Sequence, residues 1–235
     1  MKSSLVHLDR VSGKIIPYEY NYFLAMALYS KLTEYQKNVR PLHDRLNFSV
    51  FTFSNIISAK PPTGINGLQI DNGFIVLRTL DDRITEFLRL GLAADPYVKI
   101  ADTVYRVKAV SDAKPVRFKG HTSFKTLSPV LVKDFDNRKR FVTDGSRLES
   151  NLNKVTNWFL ENKLGVGNPS VEIKVLSSHR KTARISSSAG KNSITTCFNL
   201  TGEISGKEEE ISLLYYRGLG SKTGLGLGCW EVVLP

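Results

Sequence analysis

Five glycines fall within eleven residues in the run Gly218-Leu-Gly-Ser-Lys-Thr-Gly-Leu-Gly-Leu-Gly228, against an average usage of about 7%. A glycine backbone can turn several N–H groups toward one point and lets a phosphate come close. Lys222 adds a charge to this loop, and Ser221 and Thr223 add hydroxyl donors, so the segment suits phosphate recognition. Two nucleotide-binding patterns are excluded. A P-loop requires Gly-Lys followed by Ser or Thr, which occurs nowhere in the chain. A dinucleotide fingerprint requires a following helix within a βαβ unit of about 30 residues, whereas only seven residues follow Gly228. The competing structural reading is a tight loop that packs two elements together.

A second basic segment runs from Lys174 to Lys191. It carries Lys174, Arg180, Lys181, Arg184 and Lys191, with no acid after Glu172. Its Ser-rich middle reads as a hairpin with a basic face, and the bland alternative is a solvated surface hairpin. Metal chemistry finds no support in spacing: Cys197 and Cys229 form no CxxC, and His7, His43, His121 and His179 are scattered without an HExxH. No cofactor is expected.

The whole chain of 235 residues has 33 Lys+Arg against 22 Asp+Glu, a formal charge of +11 and a pI near 9.6. Residues 1–110 hold 14 basic and 10 acidic residues, net +4, and residues 111–235 hold 19 and 12, net +7. Hydrophobic residues make up 41% and aromatics 10%, enough for a core and too many for a disordered basic tail. The longest apolar stretch near the start, Phe23 to Tyr29, is seven residues, and a membrane span needs about 20. The opening MKSSLVHLDR has no apolar h-region. A reduced, cytoplasmic protein away from membranes is expected, with nucleic acid as its leading partner.

The elements that must position these residues follow from periodicity and caps. The reading gives an edge strand at Leu5–Leu8 and a helix from Glu19 to about Lys37 with a wide apolar arc. Strands follow at Phe48–Ile57 and Leu68–Leu80, with Asp71-Asn72-Gly73 as a turn signal. A helix covers Asp82–Ala93, capped by Asp81 or Asp82 and bracketed by Gly91 and Pro96. A strand at Val104–Val110 closes the half. Ser111–Pro115 has linker composition. The pattern then restarts: strand Ser123–Val132, helix Ser146–Lys163, strands Ser170–Leu176 and Ser193–Leu200, helix Glu208–Tyr216, strand Cys229–Leu234. Both halves read β-α-β-β-α-β, so the fold class is α+β with two tandem ferredoxin-like domains, 1–110 and 116–235.

The run YYRGLGSKTGLGLGCWEVV resembles the glycine-rich signature of the CRISPR-associated repeat-processing endoribonucleases, the Cas-six family of the RAMP superfamily. The stretches IPYEYNYFLAMALYSKL, LHD followed by FTFS, and TLSPVLV are similar to family segments in the same order. Together they span essentially the whole chain. The resemblance implies two ferredoxin-like domains around an RNA-binding cleft and metal-independent cleavage of precursor CRISPR RNA within each repeat. In that chemistry the 2′-hydroxyl attacks the adjacent phosphate, leaving a 2′,3′-cyclic phosphate and a 5′-hydroxyl. Such a reaction needs a base, an acid and a cation for the charged transition state.

By the same resemblance the catalytic tyrosine falls on Tyr29 and the histidine on His43. Histidine titrates near 6.5 and moves protons at neutral pH; tyrosine, near 10, is a poor base unless its environment lowers that value. His43 is therefore expected to transfer the proton as general acid, with Tyr29 orienting the 2′-hydroxyl or acting as base. Ser49 stands where members with this histidine often carry a lysine; Lys31, Arg40 and Arg45 are the candidate replacements. Arg180, Lys181, Arg184, Gly218, Gly220, Ser221, Lys222, Thr223 and Gly224 are expected to contact the RNA. CRISPR repeat RNA is the implied partner, with an effector complex and a homodimer left open. An inactive repeat-binding protein of the same superfamily is the alternative, and a general RNA-binding protein a weaker one.

Overall fold

The computed structural model describes residues 1–32, 49–137, 140–186 and 192–233. β1 (Lys2–Ser12) turns Ser4, Val6 and Leu8 inward, the period-two alternation of a strand with one buried face. It pairs antiparallel with β3 (Asn72–Thr79) on one side and β5 (Thr103–Asp112) on the other. The expectation of an edge strand is therefore corrected: β1 is central. Side-chain alternation reports which face is buried, whereas the number of neighbours depends on backbone groups that every residue carries.

β2 (Phe51–Phe53) pairs with β3, and β4 (Tyr97–Ile100) pairs with β5, giving a five-stranded sheet of order β2-β3-β1-β5-β4. β4 is a short addition in what the sequence predicts as the helix–strand connection. β5 extends through Ser111 and Asp112, which pair with Leu5 and Ser4, so these two residues belong to the sheet and not to a linker.

α1 (Asn21–Leu32) lies on this sheet through Leu24, Leu28 and Leu32. The predicted continuation to Lys37 lies outside the described residues, as does Leu234 of the last predicted strand. α2 (Asp82–Ala94) starts at Asp81, whose carboxylate accepts the Arg83 N–H at 3.1 Å. Gly91 sits inside α2, not at its end. A Cβ there would overlap the Lys31 carbonyl oxygen, so glycine is what lets α1 and α2 pack closely. The ion pair between Lys31 and Asp95 closes the same junction, and Lys31 with the Tyr97 N–H holds the Asp95 carboxyl below its usual range.

The second sheet has the order β7-β8-β6-β9, with β6 (His121–Thr126), β7 (Glu172–Ser186), β8 (Asn192–Ser205) and β9 (Trp230–Val232) all antiparallel to their neighbours. α3 (Leu148–Leu164) ends at Gly165 in the left-handed conformation, and α4 (Glu208–Arg217) leads into the glycine run. Setting β4 aside, the two sheets share one strand order, the ferredoxin-like arrangement twice over. The predicted strand Ser123–Val132 stops at Thr126; Leu127 and Ser128 donate to the Cys229 carbonyl, Val130 exchanges hydrogen bonds with Phe198, and Leu131 accepts from Ser221. No helix among the described residues is long and apolar enough to cross a membrane.

Each sheet carries its own apolar cluster, and polar contacts join them. Thr52 donates to the Leu227 carbonyl at 3.0 Å, and Ser128 to the Phe53 carbonyl at 3.2 Å. The buried Arg78 guanidinium stacks 3.5 Å from the Tyr215 ring centre and donates to the Trp230 carbonyl. Replacing Gly91 by alanine forces the α1–α2 crossing apart; thermal or urea unfolding of Gly91→Ala is expected to show a loss of about 1–3 kcal/mol. Unchanged stability would contradict the packing role.

Candidate functional site

The glycine run leaves α4 and returns to β9 as a loop containing one short 3-10 turn, Thr223–Leu225. Much of its backbone is spent on packing. Leu219 N–H donates to Gly228, Ser221 N–H to Leu131 and Gly228 N–H to Pro129, at 2.7 to 2.8 Å. Asn21 of α1 donates to the Gly226 carbonyl at 2.8 Å. A Cβ at Gly226 would occupy the Phe53 ring. The structural reading of the glycines thus holds for the base of the loop, which binds α1 and β2 to the second sheet.

At the tip the reason for glycine is different. A Cβ at Gly224 would lie 2.6 Å from the Tyr29 hydroxyl and 2.6 Å from Ser49 Oγ. The absent methyl is the space in which the phenol sits. Tyr29 lies late in α1, edge-on to Phe51 with ring centres 5.4 Å apart, and burial pushes its pKa up to about 12, opposed by a hydrogen bond with Ser49. At neutral pH this phenol keeps its proton. In that form it can donate a hydrogen bond.

Tyr29, Ser49 and the loop residues Gly220 to Leu225 line one cleft of about 640 Å³, together with Tyr22 and Met26 of α1 and Trp158, Phe159 and Lys163 of α3. The wide apolar arc of α1 is explained here: one part packs on the sheet and the rest faces the cleft. Lys222 projects from the loop with φ 58° and ψ 35°, the left-handed region that costs a non-glycine residue about 1–2 kcal/mol. A lysine kept in glycine's preferred conformation points to a use for its side chain. The amides of Thr223 and Gly224 open the 3-10 turn, where a helix start offers them no acceptor of its own. The carboxylate lining the cleft, Asp134, is bound by Arg147 at 3.1 Å, which leaves the wall net positive.

Arg217, the residue before the glycine run, is a functional group that the sequence pattern does not single out. Its guanidinium is buried, donates to the Gly218 and Gly220 carbonyls at 3.1 and 2.7 Å, and stacks 3.7 Å from the Phe159 ring centre. Among the described residues no carboxylate pairs with it, and burial lowers its pKa to about 9. Its adjacency to the glycines was the available signal. The aromatic residues Trp158 and Phe159 carried no such signal, because helical spacing alone reads them as core.

The remaining predicted residues divide. His43, Arg40 and Arg45 lie outside the described residues. Lys31, offered as a replacement cation, is turned away from the cleft and bound to Asp95 in the α1–α2 junction; it lies two residues from Tyr29, which places the two on different faces of the helix. Arg180, Lys181 and Arg184 are on β7 but do not line the cleft. Arg180 donates to the Thr143 carbonyl at 2.8 Å, and Arg184 lies over Phe23 at 5.5 Å. Thr182, between them, bonds Glu19 at 2.9 Å, so this hairpin reaches the start of α1.

The Tyr29 environment is open to direct measurement. In a ring-labelled tyrosine NMR titration, assigned with Tyr29→Phe, the Tyr29 resonance is expected to stay neutral through pH 11. Gly224→Ala, which must push the phenol out of its contact, is expected to bring its pKa down toward 10. Ionisation of Tyr29 below pH 10 in the unaltered protein would contradict the burial described.

Comparison with known proteins bears on this geometry. Residues 15–111 match the family model described as "CRISPR-associated protein Cas6, N-terminal", and residues 112–232 match "CRISPR associated protein Cas6, C-terminal". The chain is 26% identical over 229 residues to CRISPR-associated endoribonuclease Cas6 1 of Methanocaldococcus jannaschii, covering 91% of this chain and 86% of that protein. It is 27% identical over 240 residues to CRISPR-associated endoribonuclease Cas6 of Pyrococcus furiosus, covering 97% and 88%. In fold it is similar to the solved structure described as "An RAMP protein binding different RNA substrates", with a TM-score of 0.85 over 100% of both chains at 22% identity. With both halves matched in order and the two sheets arranged alike, this chain belongs to the Cas6 family.

Proposed function

We propose that this chain is an endoribonuclease that cleaves precursor CRISPR RNA within the repeat. The reaction is metal-independent attack of a 2′-hydroxyl on the adjacent phosphate, giving a 2′,3′-cyclic phosphate and a 5′-hydroxyl. The observation that carries this reading is the meeting of the Tyr29 hydroxyl with the tip of the glycine loop at Gly224, in a cleft whose wall includes Lys222.

The roles follow from the groups. Tyr29 stays protonated and orients the reacting oxygens by donating a hydrogen bond. His43, in the segment that leads into Ser49, protonates the leaving 5′-oxygen as general acid near neutral pH, and the attacking 2′-hydroxyl gives its proton to water. Lys222 supplies the positive charge that Ser49 cannot, and the amides of Thr223 and Gly224 add donors to the phosphate. The first half of the chain contributes Tyr29 and His43, and the second contributes the loop that holds the phosphate. The basic hairpin with Arg180, Lys181 and Arg184 holds RNA backbone outside the cleft. A binding-only role for the same site rests on Ser49 alone; the product ends decide between the two.

Labelled repeat RNA incubated with the protein in excess EDTA is expected to yield a cyclic-phosphate end, with His43→Ala slowing cleavage about 10²–10⁴-fold. Repeat binding with no cleaved product would establish the binding-only reading instead. Full activity of His43→Ala would remove His43 from the reaction. Lys222→Gly separates function from folding: relief of the left-handed strain offsets glycine's entropy cost of about 0.5–1 kcal/mol. Its Tm is expected to stay within a few degrees, while cleavage falls about 10²–10³-fold. Equal cleavage by this variant would show that the cation lies elsewhere.

A further inference from the structure

Away from Tyr29, the cleft wall is aromatic. Trp158 of α3 is half-buried and lines it, beside Phe159, with the Lys163 ammonium 5.8 Å from the indole centre. Leu148, Leu152 and Leu160 supply the core face of this helix, and the indole stands on its cleft side. Lys133, Lys163 and Lys222 line the same cleft, and among the described residues none of the three is paired with a carboxylate. A large aromatic face set among cations matches a nucleotide: a ring to stack and a phosphate to neutralise. The volume of 640 Å³ lies within the range of about 300–1,000 Å³ typical of sites that enclose a small organic ligand.

We infer that Trp158 is the stacking platform for the base of one unpaired RNA nucleotide, next to the phosphate held at Lys222. This rests on the reading of the cleft as the RNA-cleaving site and adds the state of the substrate within it. A base inside a helical stem is already stacked on both neighbours and paired on its edge, so its face is closed to an indole. The RNA segment in the cleft is therefore single-stranded or has this nucleotide turned out.

The chain's two tryptophans allow the stack to be read directly. Trp230 is wholly buried, so quenching of tryptophan emission by single-stranded repeat RNA reports Trp158, and Trp158→Phe is expected to abolish the quench while keeping most of the affinity. Trp158→Ala is expected to weaken binding of the intact RNA about 5- to 150-fold. The same variant should lose nothing further on a repeat made abasic at the stacked position, found by moving one abasic site along the strand. Equal affinity of Trp158→Ala and the unaltered protein for intact RNA, with cleavage intact, would overturn the stack and leave the nuclease reading standing. A quench that persists in Trp158→Phe would overturn it too. Failure of the unaltered protein to bind the repeat at all would overturn both.

Discussion

The backbone of the glycine loop runs where side chains would otherwise stand, and the rest of the site depends on that approach. A Cβ at Gly226 would overlap the Phe53 ring, and one at Gly224 would press on the Tyr29 hydroxyl and Ser49. The loop thus ties the edge of the first sheet to the second while bringing an α1 side chain and a loop lysine to one cleft. Packing and chemistry use the same eleven residues. The hydrogen bonds at the base of the loop fix its path, and the strained Lys222 at its tip is the residue that path leaves exposed.

Charge is organised around this loop in two ways. Arg78 and Arg217 are buried cations without a carboxylate among the described residues, each stacked on a ring and bonded to carbonyls. Taking such a charge out of water is costly; Arg78 sits where the first sheet meets α4 and β9, and Arg217 where the glycine loop meets α3. Lys133, Lys163 and Lys222 line the cleft instead. Of the basic residues after residue 110, Arg217 is therefore spent on holding the glycine loop, while Lys133, Lys163 and Lys222 form a surface for a polyanion. In the proposed reaction the lysines meet the RNA, and Arg217 keeps the loop in place.

Much of the framework is legible in the sequence. The two β-α-β-β-α-β patterns, the Asp81 cap and the hairpin from Lys174 all appear in the structure, because hydrophobic period, capping residues and turn composition are local signals. What failed was non-local. Two neighbours for β1, the helix crossing at Gly91 and the pairing of Lys31 with Asp95 all depend on residues far away in the chain. The glycine run was visible, but its division into a packing base and an open tip was not. Arg217 and Trp158 escaped notice because a cation at a helix end and an aromatic on a helix face usually have ordinary structural uses.

The claim on which most depends is that Tyr29 and Lys222 flank one phosphate. A crystal structure of the protein with repeat RNA carrying a 2′-deoxy nucleotide at the cleavage site, which blocks the attack, tests it most directly. The scissile phosphate is expected within hydrogen-bond reach of Lys222 Nζ, with the Tyr29 hydroxyl directed at the reacting oxygens and Gly224 backbone against the sugar–phosphate chain. RNA bound across another face, with the cleft between α1, α3 and the glycine loop empty, would contradict the account.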